Sequence, residues 1–239
     1  MKMISIGPVL VAVLFAAACS EDDSTGPTGP TARVRFFNAT TGMTGSGGFT
    51  TNGQFATGSA LPFGQAAQSC ATVSAGATSI GFGTAAAGGT GLSGTPLATL
   101  GNQSLASGGT YTVVATGSAT SPTLYLLDNS YSGTLASNQA AVRFVNLAPG
   151  TGTTANAFVV YQGAFGSGQS PIEINIAVGA PTQFRVVTSG ANTFAALQTP
   201  GHNVVIPSVT LTLQGGSVNT LAIVPTTSGG YQMLNIPGC

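Results

Sequence analysis

Glycine, proline or threonine interrupts every stretch of this chain long enough to form an amphipathic helix. The 239 residues include 35 glycines, 13 prolines and 33 threonines. In a helix interior glycine is less favourable than alanine by about 1 kcal/mol and proline by about 3, and threonine loses side-chain freedom against the preceding turn. Only Gly64 to Ala71 could hold a short helical turn. The intervening segments carry strand signals instead. Ile172-Glu173-Ile174-Asn175-Ile176 and Thr210-Leu211-Thr212-Leu213 alternate strictly, the two-residue period of a half-buried strand. Arg33-Val34-Arg35-Phe36-Phe37 alternates polar and apolar before Asn38 opens a polar loop, and Thr110–Ala115 follows a Gly108-Gly109 turn. The β-branched residues suit a pleated surface, where their stiff side chains pack well. The expected fold class is all-β, with short strands and Gly/Pro turns arranged as antiparallel sandwiches.

Charge is scarce. Ten residues are formally charged, five of each sign, or 4% of the chain, against roughly 25% in ordinary domains. Hydroxyls and amides must therefore meet the water. Nucleic-acid binding is excluded as an expectation because it needs clustered Lys and Arg to displace counterions. A 43% hydrophobic content also argues against disorder, which combines low hydrophobicity with high charge.

The N-terminus reads as an address followed by a tether. Lys2 precedes an apolar run from Ile4 to Ala18 that is broken by Gly7 and Pro8. The run is shorter than the roughly 20 residues needed to span a bilayer core and has the layout of a secretory signal. Phe15-Ala16-Ala17-Ala18-Cys19 resembles the bacterial lipoprotein box, with Ala16 where Leu is usual. The resemblance implies a signal peptide over 1–18 and lipidation of Cys19; the alternative is ordinary cleavage after Ala18. Acyl chains would supply membrane attachment at about 0.8 kcal/mol per buried CH₂. Ser20 is similar to residues that permit sorting to the outer membrane. Glu21-Asp22-Asp23 resembles a surface-export signal, or else serves as a solvated spacer. Residues 19–31 close with Ser-Thr-Gly-Pro-Thr-Gly-Pro-Thr, a linker with nothing apolar to bury.

Beyond the linker the chain repeats itself. Arg35-Phe36-Phe37-Asn38 recurs as Arg143-Phe144-Val145-Asn146, 108 positions on. Gly108-Gly109-Thr110-Tyr111 recurs as Gly215-Gly216-Ser217-Val218, and Leu126-Leu127-Asp128 as Met233-Leu234-Asn235, both at 107. Three anchors in one order at nearly one spacing imply two domains, copy 1 over 32–137 and copy 2 over 138–239. The period is far beyond that of solenoids and propellers. An outer-membrane barrel would explain neither the duplication nor the lipobox, and aromatic girdles are not evident.

These segments resemble the family known only as domain of unknown function 4397. In copy 1 the likeness lies in Ala32–Ala39, Leu61-Pro62-Phe63-Gly64, Val73-Ser74-Ala75-Gly76, Tyr111–Gly117 and Leu126-Leu127-Asp128. In copy 2 it lies in Val142–Asn146 and Val178-Gly179-Ala180-Pro181. The resemblance implies secreted or lipid-anchored bacterial β proteins, often in tandem copies, and no activity. An acidic Pro-Asp segment of the family is replaced here by Thr40-Thr41-Gly42 and Ala148-Pro149-Gly150, so no ligand role is carried over to it.

Catalytic chemistry finds little to work with. A Ser/His/Asp triad needs a base beside a nucleophile and a third group to orient it. The one histidine, His202, stands in the loop-like Pro200-Gly201-His202-Asn203, and the carboxylates beyond the linker are Asp128 and Glu173. Glycosidases need two carboxylates about 5–10 Å apart, and these two could meet only if the domains packed tightly. Asp128 is expected to start the turn after its strand, its carboxylate accepting backbone N–H bonds, and Glu173 to lie on a solvent face near an arginine. Calcium and zinc sites fail on ligand count. Gly89-Thr90-Gly91-Leu92-Ser93-Gly94 and Gly150–Ala155 fit a dinucleotide fingerprint, but neither is followed by residues that open the helix needed to face the pyrophosphate. No catalytic, cofactor-binding or metal-binding residue is expected, and no cofactor.

Cys70 and Cys239 could form a disulfide in an oxidising envelope. The bridge would close a long loop and stabilise by about 4–5 kcal/mol in the chain-entropy picture; the alternative is a buried free thiol at Cys70 and a mobile Cys239. Arg33, Arg35 and Arg143 fall on equivalent strands, expected as charged outward edges that discourage aggregation; the alternative is a paired ligand site on both copies. The functional expectation is a non-catalytic, lipid-anchored structural or interaction module of the cell envelope, sited at the outer membrane and open to surface display. Its partners would be the membrane, through its lipid, and an envelope protein or glycan. The alternative is a surface glycan- or ligand-binding module using Tyr131 and Tyr161; an envelope hydrolase is a remote third.

Overall fold

The computed structural model describes residues 29–56, 60–148, 157–166, 170–199 and 203–239. Cys19 and the leader, His202 and the Gly150–Ala155 fingerprint lie outside them.

The first half runs β1 (Thr31–Thr41), β2 (Gly47–Thr51), β3 (Gln54–Phe55), β4 (Gln65–Ala66), β5 (Ala71–Ser74), β6 (Gly76–Thr84), β7 (Ala98–Leu105), β8 (Thr110–Ser118) and β9 (Ser121–Asp128). The second half runs β10 (Gln139–Asn146), β11 (Ala157–Gln162), β12 (Pro171–Ile176), β13 (Arg185–Thr188), β14 (Gly190–Thr199), β15 (Asn203–Leu213), β16 (Val218–Pro225) and β17 (Tyr231–Pro237). No helix occurs among the described residues. Gly64–Ala71, the one segment with helical potential, forms β4 and a turn.

Four sheets result, two per half. The first half pairs β4-β1-β8-β9, with β5 also on β1, and β3-β2-β6-β7. The second pairs β13-β10-β16-β17 and β12-β11-β14-β15. The halves thus share one strand order. The expectation of purely antiparallel sheets needs correction, because β1 runs parallel to β8 from Arg33↔Thr110 to Thr41↔Ser118. Likewise β10 runs parallel to β16 from Ala141↔Val218 to Asn146↔Ile223. In each half the chain leaves its first strand, builds the opposite sheet and returns beside that strand in the same direction. A long crossover of this kind is what parallel pairing requires.

Each half encloses its own core. Val34, Phe36, Phe49, Ile80, Phe82 and Val113 fill the first; Val142, Phe144, Phe158, Phe194, Leu221 and Met233 fill the second. A third core lies between the halves: Phe37, Ala39, Val114 and Leu127 pack with Val145, Leu147, Ala222, Val224 and Ile236. The strands β1, β8, β10 and β16 are therefore covered on both faces. That is why their doubly covered stretches read as consecutive apolar pairs (Phe36-Phe37, Val113-Val114, Phe144-Val145), the alternation of β1 being confined to its start at Arg33-Val34-Arg35, since a strand covered on both sides has no solvent face to keep polar.

Two local expectations also change. Asn38 does not open a loop. It is fully buried within β1, its Nδ2 donating to Leu61 O at 2.8 Å while its Oδ1 accepts from Thr40 N at 2.9 Å. Its counterpart Asn146 repeats both bonds, with Ile176 O and Ala148 N. In β12 the strict alternation is broken. Asn175 adopts a left-handed φ of 53° and the pairing with β11 slips between Phe158 and Val160. This bulge turns Ile174 out, 61% exposed, and leaves Glu173 half-buried.

Candidate functional site

The seam between the halves gathers most of the chemistry that this chain holds. Its face on β1 carries Arg35, Phe37 and Ala39; its face on β10 carries Arg143 and Val145, with Leu147 directly after the strand. The apolar members fill the shared core, and an arginine stands at one end of each row.

Arg143 is 4% exposed and spends every branch of its guanidinium. Nε donates to Thr220 Oγ1 at 3.0 Å, Nη1 to Asp128 O at 2.6 Å and Nη2 to Asn129 Oδ1 at 2.8 Å. The ring of Phe184 covers it, 4.7 Å from the guanidinium carbon, a cation–π contact. Burial lowers its pKa to about 10, partly opposed by Asp128, so it remains a cation at neutral pH. Asn129 completes the link by donating Nδ2 to Thr112 Oγ1 at 2.7 Å. The first half's last turn is thereby tied to the second half's first strand.

Arg35 makes the reciprocal reach. Its Nη1 donates to Ala67 O at 2.6 Å and Gln68 O at 3.3 Å, and its Nη2 to Gly238 O at 3.3 Å, beyond the end of β17. Burial is the main cause that lowers its pKa, followed by Arg33. The expectation that Arg35 and Arg143 are outward edge charges is overturned. β1 lies between β8 and the β4/β5 pair, and β10 between β13 and β16, so neither is an edge strand. Arg33 alone of the three is exposed.

Beside Arg35 the seam opens into a cavity of about 410 Å³ lined by Gln68, Gln214, Ser217, Asn219 and Asn235 among others. One wall is the C-terminal segment. Cys239 is joined to Cys70 by a disulfide across 169 residues, with Cα atoms 5.9 Å apart.

The remaining candidates are dispersed. Asp128 Oδ1 accepts from Ser130 N at 2.8 Å, the turn-starting role expected of it. Glu173 pairs with Arg185. Tyr131 packs edge-on against Phe184, 5.6 Å between centroids, and so supports the aromatic that covers Arg143. Tyr161 meets Phe165 edge-on at 5.5 Å on the second half, where Phe165 is 43% exposed. Gly89–Gly94 forms bends between β6 and β7, with Leu92 in an isolated bridge to Ala85. No group of three His, Cys, Asp or Glu gathers among the described residues, and no helix there is long and apolar enough to cross a membrane. Sequence reasoning passed over Asn129, Phe184 and Thr220. Only the repeated Arg-Phe-x-Asn motif hinted that the arginines had matched roles.

The profile of a family described as Domain of unknown function (DUF4397) matches residues 49–157. The matched stretch begins in β2, runs through the junction and ends at the first residue of β11, so it takes in β10 rather than β1. No curated protein matches the chain. Four sheets, no helix among the described residues and the family match together make this a β-rich protein that carries one DUF4397 domain at residues 49–157.

Proposed function

We propose that the protein is a non-catalytic module of the bacterial cell envelope, held at the outer membrane by a lipid on Cys19 and serving a structural or interaction role. In this reading residues 1–18 are a lipoprotein signal. The halves over 32–137 and 138–239 are two immunoglobulin-like copies of one ancestral domain. The observation that carries it is the doubly covered seam: two sandwiches of identical strand order share a third core, with Arg143 and a disulfide spanning it. Such a body is suited to presenting surfaces at fixed separation. Asp128 and Glu173, the carboxylates beyond the linker, are both engaged structurally, which supports a non-catalytic role. Surface-protease shaving of intact cells beside a Cys19→Ala strain tests anchoring and display together. Digestion in the parent and release of the protein from the Cys19→Ala strain are expected. Full protection in intact cells removes the surface reading, and unchanged membrane retention of the variant removes the lipid.

A second reading, a surface glycan- or ligand-binding module, is favoured by the Tyr161–Phe165 pair, a half-exposed aromatic edge of the kind on which sugar rings stack. Tyr131 is less suited because its ring is committed to Phe184. Glycan arrays with Tyr161→Ala and Tyr131→Ala test it: loss of a reproducible signal with Tyr161→Ala alone is expected, and retention of the signal in both variants removes these residues from the site.

A further inference from the structure

The two seam arginines occupy equivalent places, yet only one is fully paired. Arg143 gives its Nε to Thr220, its partner in the β10–β16 register. The corresponding partner of Arg35 is Thr112, whose Oγ1 instead accepts from Asn129. Arg35 Nε is consequently buried without a hydrogen-bond partner. A guanidinium has five N–H donors. Two from Nη1 and one from Nη2 go to backbone carbonyls, which leaves the Nε donor and one on Nη2. Where Arg143 is roofed by Phe184, Arg35 borders the seam cavity. Asn235, on the same cavity, also keeps its Oδ1 buried without a partner.

We infer that this cavity binds a small carboxylate that carries hydroxyl groups, in chemical class an acidic sugar unit. Arg35 is the single charged residue lining it, and no carboxylate lines it to offset the cation. The uncommitted Nε and Nη2 donors suit a carboxylate, which accepts paired bonds from one guanidinium. Gln68, Gln214 and Asn235 are among the other lining residues, and their amides both donate and accept, as ligand hydroxyls require. Ser217 on the same wall is already engaged, its Oγ donating to Gln214 O and accepting from Asn219 Nδ2. The volume falls in the range of small-molecule sites, about 300–1,000 Å³. Arg35 Nε is buried in the ligand-free protein, so binding requires the guanidinium to turn toward the ligand, loosening its 3.3 Å bonds to Gln68 O and Gly238 O in exchange for charge-assisted ones. The assignment stands apart from the tether and holds whether or not Cys19 is lipidated.

Titration of the full chain with D-glucuronate, with D-glucose and acetate as controls, tests the inference by calorimetry or NMR shifts. Glucuronate is expected to bind in preference to both controls. Arg35→Met and Gln214→Glu should each weaken it by roughly tenfold or more, the first by removing the cation and the second by placing a like charge in the cavity. Gln54→Glu, on β3 and away from the cavity, should leave binding unchanged. Gln214 is exposed, so its variant keeps the test open if Arg35→Met fails to fold. Three results would overturn the proposal: no glucuronate binding, binding that survives Gln214→Glu, or equal binding of either control.

Discussion

Arg143 Nη2 and Asn129 Oδ1 meet at 2.8 Å across the seam, a side chain of the second half closing on the last turn of the first. The bond is buried and charge-assisted, and Asn129 is itself held by Thr112. Neither residue can be truncated without leaving the other buried and short of a partner.

Arg143→Met should accordingly destabilise the protein by about 2–4 kcal/mol, through unpaired Asn129 Oδ1 and Asp128 O rather than through lost charge alone. Arg143→Lys should recover only part of this, because an ammonium cannot reproduce the three-branched fork or lie flat beneath Phe184. Urea denaturation of both variants beside the parent measures the difference. Parent-like stability in Arg143→Met would show that the seam does not depend on it.

The shared core predicts that the halves unfold together. Phe37 is 1% exposed and packs only into the seam cluster, and Phe37→Ala should cost about 3–5 kcal/mol. Calorimetry should show one transition for the parent. In Cys70→Ser/Cys239→Ser, which lacks the 169-residue closure, the transition should move down by the equivalent of about 3–5 kcal/mol. Two well-separated parent transitions would mean that the seam does not couple the halves.

Close packing at the seam sets apart two glycines that local conformation treats alike. Gly179 and Gly88 have positive φ of 77° and 89°. A Cβ at Gly179 would run into the Tyr125 ring, whereas at Gly88 it meets nothing within 4 Å. Gly88→Ala should therefore cost only the left-handed penalty of about 1–2 kcal/mol, and Gly179→Ala should exceed it by about 1–3 kcal/mol for overpacking. Parallel denaturant melts decide; equal losses would sink the packing argument.

Tyr125 supplies a pH test. Burial raises its phenol above the usual 10, so above that pH the unfolded chain releases the proton first. The folded form then binds more protons than the unfolded, and stability falls as pH rises. The contribution is complete below pH 10 and is lost as pH climbs through the raised value. Relative to Tyr125→Phe, the parent should lose stability above pH 10 and hold a constant offset below it. Parallel profiles across the alkaline range would count against this.

The all-β class was legible because glycine, proline and threonine leave no room for a helix, and the duplication because Arg-Phe-x-Asn and the glycine turns recur in register. The turn at Asp128 was legible for a similar reason: its carboxylate acts on backbone two residues away. The bulge at Asn175 was not, because it depends on how β12 slips against β11, and strict alternation in sequence describes only a regular strand. Nor were the structural roles of half-buried Arg35 and buried Arg143. Alternation assigns a side chain to one face of its sheet, but whether that face meets water or another sheet depends on residues a hundred positions away. Local sequence thus settled strand, turn and repeat, which follow from backbone sterics and hydrogen bonding over a few residues. The tertiary structure alone decided that the two first sheets would bury their outer faces against each other, because only that packing gathers Phe37, Val145 and Ile236 out of water and carries the arginines in with them.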